Sequence, residues 1–217
     1  MNHKSICIIT FLPLLFIASI ARAQKPFVEG VIVYRVTLNS PGSDKSYEGT
    51  YTVTVKGKNV KKELKMENGY DDVIIFNEGD QVVYSLKAAS GKKYAIQLDF
   101  NDYLNRERKY NGFNIKEYGK EEDINGITAK KALVTYLDGK SQDIYYTTEW
   151  YPADLTMYNR FPNIKVLPVK YEYTDDSGMI MHFKAEKVSP IPVENAAFRI
   201  PPDYKIITYS DYKQMNK

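Results

Sequence analysis

The strongest structural constraint in this sequence is a pair of strand-like runs within residues 124–151, separated by the dipeptide Asp138-Gly139. An Asp-Gly pair between two extended runs is typical of a two-residue type I′ hairpin loop. Such a loop predicts Leu137 opposite Lys140, and the next facing pairs are Thr135/Gln142, Leu133/Ile144, Lys131/Tyr146, Ala129/Thr148 and Ile127/Trp150. This face is mostly apolar, so we expect it to point inward. Because one hairpin cannot bury such a face alone, the rest of the chain must supply more sheet or a helical cover.

Alternating apolar and polar residues predict further strands along most of the chain. They fall at 28–38, 47–56, 59–66, 73–77, 81–88, 93–98 and 115–119. In the third of these, Val60, Leu64 and Met66 lie opposite Lys61, Glu63 and Lys65. A last hairpin pairs 166–173 with 179–188, and its inward set is Val169, Tyr171 and Tyr173 against Met179, Met181 and Phe183.

Three segments change to helical spacing. In 99–109, Phe100, Tyr103 and Leu104 share one face at i, i+3 and i+4. Short helices are also expected at 152–161 and 210–214, and the tail offers Phe198 and Ile200 to plug the core. The fold class is therefore mainly β: a strongly curved antiparallel sheet that forms an incomplete barrel closed by short helices, in a single domain over 24–217.

Residues 1–23 have the features of a secretory signal peptide. They comprise a short basic start, an apolar run over 6–20 and small residues in an A-x-A arrangement at 21–23. We expect cleavage before Gln24 and a periplasmic or secreted protein. A membrane anchor is the alternative, but the run is near the lower length limit and contains Pro13. No later segment is long and apolar enough to span a bilayer.

The cysteine count and the net charge exclude several classes of site and partner. Cys7 is the single cysteine and lies inside the apolar run, away from the cleavage point, so it does not look like a lipid-attachment residue. The mature chain then has no cysteine, which excludes a thiol nucleophile and a cysteine-containing zinc site. Without Lys4 and Arg22 the formal net charge of +3 falls to +1, which argues against a nucleic-acid partner.

Candidates for catalysis are few, and we predict no catalytic residue, no metal site and no cofactor. His182, the single histidine of the mature chain, falls on the polar side of its strand without a partner at fixed spacing. The acidic pairs and triplets at 71–72, 121–123 and 175–176 sit in turns, where such side chains bond the local backbone. An enzyme would require these turn carboxylates to converge in one cleft.

A curved sheet of this size has a hollow side, which must be filled by side chains and helices or by a ligand. The aromatic and methionine side chains expected there are wide and soft enough for an acyl chain. The predicted cavity lining is Leu133, Ile144, Tyr146, Trp150, Tyr171, Tyr173, Met179, Met181 and Phe183, with Lys131 at the cavity mouth. The alternative is that these residues simply pack beneath the amphipathic helices.

Four motifs resemble exported proteins of the GLPGLI family and related LolA-like domains of unknown function. They are Gly126–Ala132, Tyr146–Tyr151 with its Glu-Trp-Tyr ending, Lys165–Val169 with Leu-Pro, and Phe198–Tyr204, which resembles a closing F-x-I-P-x-x-Y motif. The chain departs from the pattern by Ala129, where a cysteine is common, and by lacking the full Gly-Leu-Pro-Gly-Leu tract. The resemblance implies an incomplete barrel whose concave face holds lipid acyl chains in the periplasm.

These observations lead to a non-enzymatic, exported binding protein with a lipid or other amphiphile in the concavity of its sheet. The alternative is a protein-interaction or envelope-assembly module with a packed core, whose sheet edge or tyrosine-rich surface docks a cell-envelope protein.

Overall fold

The computed structural model describes residues 23–39, 42, 45–77, 79–89, 91–106, 112–154, 161, 164–174 and 178–215. The first half of this part of the chain contains β1 (Lys25–Phe27), β2 (Glu29–Asn39), β3 (Ser46–Lys56), β4 (Asn59–Met66), β5 (Asp71–Asn77), β6 (Val82–Ala89), β7 (Lys92–Leu98) and α1 (Phe100–Arg106). The second half contains β8 (Gly112–Glu117), β9 (Glu122–Ile124), β10 (Ile127–Tyr136), β11 (Ser141–Thr147), β12 (Trp150–Pro152), β13 (Pro168–Thr174), β14 (Ile180–Ser189), a 3-10 turn (Asn195–Phe198), β15 (Lys205–Thr208) and α2 (Tyr209–Met215).

Most strands belong to one sheet, in the order β15-β7-β6-β5-β4-β3-β2-β14-β13-β11-β10-β8, with β9 also paired to β10. Neighbouring pairs are antiparallel except β15 with β7, which is parallel. The two end strands of this order do not pair with each other, so the sheet curves without closing into a barrel. The predicted fold class, mainly β with an incomplete barrel, is confirmed. β1 and β12 form a separate parallel pair.

The predicted register of the 124–151 hairpin is wrong by one residue. The backbone N–H of Tyr136 donates to the Lys140 carbonyl, and the N–H of Gly139 donates to the Tyr136 carbonyl. The loop therefore has three residues, 137–139. Gly139 takes the left-handed conformation with φ 82°, as expected for a turn closed by a glycine bulge. The pairs are therefore Ala132/Ile144, Val134/Gln142 and Lys130/Tyr146 on one face, and Lys131/Tyr145, Leu133/Asp143 and Thr135/Ser141 on the other.

The other strand predictions hold. β2 to β7 form the expected meander, with Val60, Leu64 and Met66 buried on one face of β4. In the last hairpin the residues predicted to point inward share one face, where Tyr171 faces Phe183 and Tyr173 faces Met181. Helices lie at the predicted positions near 100 and 210, whereas most of the helix predicted at 152–161 lies outside the described residues.

One core lies on the concave side of the sheet. Alternation on β2 places Ile32, Tyr34, Val36 and Leu38 on this side, each buried. The same core includes residues from β3, β4, β10, β11, β13 and β14, so it spans the middle of the sheet. Because each strand twists relative to its neighbour, a sheet of this width curls around that core.

A second core lies on the convex face, over β5, β6 and β7. Ile75, Leu86 and Ala95 are buried there, on the strand face opposite Phe76 and Val83. The tail residues Phe198, Ile200 and Tyr204 pack against this cluster. The prediction that Phe198 and Ile200 plug the main core is therefore wrong. The strands at this end of the sheet carry apolar residues on both faces, and the two tail residues cover the convex face.

Candidate ligand-binding concavity

Three aromatic rings form the centre of the concave face, where β2, β14 and β13 lie side by side. Tyr171 and Phe183 face each other across their strands and stack with ring centroids 4.7 Å apart. Tyr34 meets both rings edge-on, at centroid distances of 5.9 and 6.3 Å. Its hydroxyl donates a hydrogen bond to the Pro168 carbonyl at 2.8 Å, so the ring is buried with its polar atom satisfied. We call these three residues the aromatic floor.

Two segments cover the concave face at separate places. Phe100 of α1 packs on Phe76 of β5, with ring centroids 5.2 Å apart. At the other side Phe161 stacks on Tyr136 of β10 at 6.3 Å and meets Tyr171 of β13 edge-on at 6.0 Å. The buried residues that follow it in the same core are Ile164, Val166 and Leu167. In the sheet order, β4, β3, β2 and β14 lie between these two places.

Several apolar side chains pack against the core but stay half-exposed. We call six of them the concave-face patch: Tyr47, Tyr51, Ile74, Tyr173, Met179 and Met181. Tyr51 meets Phe183 edge-on at 5.3 Å, so the patch is continuous with the aromatic floor. Tyrosine rings and flexible methionines together offer an adaptable apolar surface, and such a surface can bind an acyl chain.

Eight of the nine predicted lining residues belong to the main core or pack against it. Ile144, Tyr146, Tyr171 and Phe183 are buried, whereas Trp150, Tyr173, Met179 and Met181 are half-buried. Trp150 lies in the β1–β12 pair, edge-on to Phe27 at 6.0 Å. Leu133 points to the opposite face of the sheet and faces Asp143, because the register is shifted by one residue. Contact of the eight with a ligand stays a prediction.

Lys131, predicted at the cavity mouth, also lies on the convex face. Its ammonium is 3.0 Å from Asp143 and stands over the rings of Tyr118 and Tyr145, at 4.9 and 5.8 Å from their centroids. The Tyr118 hydroxyl donates to the Asp143 carboxylate, and this bond, followed by Lys131, lowers the pKa of Asp143. The placement at a cavity mouth is wrong, since Lys131 is part of a surface network.

A polar groove of about 530 Å³ opens beside the buried ring of Tyr146. The Tyr146 hydroxyl donates to Glu117 of β8, and Lys130 approaches the same carboxylate at 3.1 Å. Burial, and then the bond to Glu117, raise the pKa of Tyr146. The pKa of Glu117 is lowered, first by the hydrogen bond from Tyr146 and then by Lys130. Thr128, Thr148 and Lys165 also line this groove.

One residue of the concave face was missed by the sequence analysis. On β4, Lys62 lies on the same face as Val60 and Leu64, and its ammonium donates to the Tyr103 hydroxyl of α1 at 3.4 Å. Alternation alone would have found it, because position 62 falls in phase with 60, 64 and 66. Lys62 is thus the one charged residue among the apolar side chains on this face of β4.

The residues considered for catalysis remain apart in the described part of the chain. Asp71 lies on β5 and Glu122 on β9, far from each other in the sheet order, while 175–176 falls outside the described residues. His182 bridges Glu172 at 3.0 Å and Asn39 at 3.1 Å on the convex face. Within the described residues, no group of three or more His, Cys, Asp or Glu could hold a metal ion, and no helix has the length and hydropathy to cross a membrane.

The fold and the site define a mainly β protein with an open curved sheet and an apolar core on its concave side. No protein-family profile and no curated protein sequence matches the chain. It is similar to the structure of a DUF1329 family protein from Desulfovibrio piger, with 10% identity, a TM-score of 0.33, and coverage of 79% of this chain and 90% of that one. It is also similar to a proposed outer membrane lipoprotein-sorting protein domain from Vibrio parahaemolyticus, with 10% identity, a TM-score of 0.29, and coverage of 82% and 92%. At TM-scores this low, neither likeness defines a family or a ligand for this chain.

Proposed function

We propose that this protein is a non-enzymatic binding protein that holds a hydrophobic ligand, such as a lipid or a lipoprotein acyl chain, on its concave face. The observation that carries the proposal is the concave-face patch. Its six side chains are half-buried and pack against the main core, and Tyr51 contacts Phe183 of the aromatic floor. A group of partly exposed apolar side chains on the hollow side of a sheet is a surface that an apolar ligand can complete.

Burial of an acyl chain supplies much of the binding free energy that such a site needs. Each methylene group removed from water contributes about 0.8 kcal/mol. An acyl chain with about ten buried methylenes would therefore gain on the order of 8 kcal/mol before the cost of ordering it. Micromolar binding corresponds to about 8.2 kcal/mol, so further buried methylenes or a headgroup contact must offset the ordering cost.

Native mass spectrometry tests this proposal. The protein is purified from the envelope fraction of its own host, analysed intact, delipidated and titrated with acyl-chain ligands. We expect a co-purifying amphiphile and renewed binding after delipidation. Protein that carries no amphiphile and binds none would overturn the proposal.

A matched pair of variants locates the site. Met181→Gln places an amide in the concave-face patch, whereas Ile180→Gln changes the adjacent residue on the other face, which is 37% exposed. An amide buried under an acyl chain without a partner costs about 1–3 kcal/mol, so we expect Met181→Gln to weaken binding about fivefold or more. Ile180→Gln should bind as the unmodified protein does, and equal losses in both variants would exclude the concave face.

We place the protein in the periplasm, on the basis of its N-terminal sequence. The basic start, the apolar run and the small residues at 21–23 are the supporting features. Cell fractionation with the intact mass of the mature protein checks this, and we expect a chain that starts at Gln24.

A second candidate function is docking of a cell-envelope protein at the sheet edge. Within the described residues, no strand pairs with the outer edge of β15. Ile206, Tyr209 and Met215 are exposed beside it, at 54%, 40% and 50%. An exposed edge with apolar side chains can accept a partner strand. Cross-linking in cells from position 206 should trap one defined partner if this function applies.

A further inference from the structure

Lys62 is a cation surrounded by apolar side chains. Across the sheet it lies between Val53 of β3 and Ile74 of β5, and Val60 and Leu64 flank it on the same face of β4. Val53, Val60 and Leu64 are buried and Ile74 is half-buried. A lysine in this position covers apolar neighbours with its stem and keeps its ammonium at the open end. Its charge is therefore held at the concave face.

The ammonium has weak partners within the described residues. It is 3.4 Å from the Tyr103 hydroxyl and 5.8 Å from the centroid of that ring, and both distances are at the long end of their ranges. No carboxylate of the described residues forms an ion pair with it. Asp72, the acidic residue on this face of β5, is paired with Lys87 at 2.5 Å. The adjacent Lys61, on the convex face, pairs with Glu63 at 3.0 Å.

The charge lies at the border of the concave-face patch. Ile74 belongs to the patch and is the direct cross-strand neighbour of Lys62, and Tyr51 of the patch faces Leu64, two residues along β4. An apolar surface with one cation at its border has the two features that bind an amphiphile: a place for the chain and a counter-charge for the headgroup. Hydrogen bonds to a charged group are about twice as strong as neutral ones.

We propose that Lys62 binds the anionic headgroup of the ligand, so that the ligand is an amphiphile with a carboxylate or phosphate head. The chain lies on the concave-face patch, beginning at Ile74 and Tyr51. This assignment rests on the proposed function, and it adds the sign of the ligand's charge and the position of its head. A neutral amphiphile gains no charge pairing with Lys62, and a cationic one is repelled by it.

Four ligands with one chain length test the assignment on the delipidated full-length protein. They are hexadecanoate, hexadecyl phosphate, hexadecanol and hexadecyltrimethylammonium, titrated by calorimetry at pH 8. We expect both anions to bind at least about tenfold more tightly than hexadecanol, equivalent to about 1.4 kcal/mol, and the cation to bind more weakly than hexadecanol. The tighter of the two anions identifies the carboxylate or the phosphate as the headgroup.

Three variants place the charge at position 62. Lys62→Met keeps the length of the side chain and should lose the preference for anions, while hexadecanol binding stays within about twofold. Lys62→Arg keeps the charge and should keep the preference. Lys65→Met removes an exposed charge from the other face of the same strand and serves as the control without effect. Thermal unfolding of each variant shows whether it is folded.

The possible results separate this assignment from the proposed function. If hexadecanol binds as tightly as the anions, or if folded Lys62→Met keeps the preference, the headgroup assignment is wrong and the apolar site stands. If none of the four ligands binds, the proposed function itself fails. Should Lys62→Met not fold, the ligand preference of the unmodified protein and of Lys62→Arg still decides the question.

Discussion

Glu117 accepts hydrogen bonds from the Tyr146 hydroxyl and from Lys130, and its pKa is lowered chiefly by Tyr146. A carboxyl whose pKa is lower in the folded than in the unfolded state stabilises the fold above its unfolded pKa of about 4.3. That contribution is lost as the pH falls through the folded pKa. Tyr146→Phe should therefore raise the pKa of Glu117 and lower stability at pH 7 more than at pH 3.

Carbon-detected NMR titration of the Glu117 carboxyl measures the first effect, and urea unfolding at the two pH values measures the second. Tyr145→Phe is the control, because Tyr145 is the adjacent tyrosine on the other face of β11 and contacts Lys131 and Lys170 through its ring. An unchanged pKa of Glu117 in Tyr146→Phe would show that Lys130 alone lowers it.

At the scale of elements, the loop between β10 and β11 sets which residues enter the core. Gly139 has φ 82° there, a conformation that costs about 1–2 kcal/mol for a residue with a side chain. We expect Gly139→Ala to reduce the free energy of unfolding by that amount, and Gly139→Asn by less, since asparagine adopts this conformation more readily. Urea unfolding compares the two, and equal losses would mean that the conformation of Gly139 is not the cause.

The same hairpin shows how much of an element can be predicted from its sequence. Both alternations of β10 contain apolar residues, Leu133 in one and Val134 in the other, so hydropathy does not choose between a two-residue and a three-residue loop. One residue of register then moves every side chain to the other face. In the β13–β14 hairpin the inward residues were predicted correctly, because Tyr171 and Phe183 belong to the more apolar alternation of their strands.

For the whole molecule, the sequence identifies the strands but not all their partners. β14 pairs with β2, and Lys25 of β1 pairs with Trp150 of β12, contacts between segments more than a hundred residues apart that no local pattern encodes. The aromatic content of the concave face followed from alternation, and alternation also places Lys62 on that face. The convex-face cluster did not follow, since it depends on which neighbours the sheet order supplies.

The convex-face cluster gives a prediction about the whole chain. Truncation after Glu194 removes Phe198, Ile200 and Tyr204, which pack on Ile75, Leu86 and Ala95, and also removes β15 from the edge of β7. It leaves the contacts of Val193 with Lys56 and Glu29, which fix the preceding segment to β3 and β2. An apolar face and an unpaired edge are then exposed together, and both favour association.

We therefore expect the truncated protein to bind the dye ANS and to self-associate in analytical ultracentrifugation, while it keeps the circular dichroism of a sheet. Its binding of hexadecanol should persist, because the concave-face patch is on the other side of the sheet from the removed tail. A monomeric truncated protein that binds no dye would show that the tail does not cover this face in solution. Loss of hexadecanol binding with the sheet intact would instead show that the two faces are coupled through β5, whose Ile74 and Ile75 point to opposite sides.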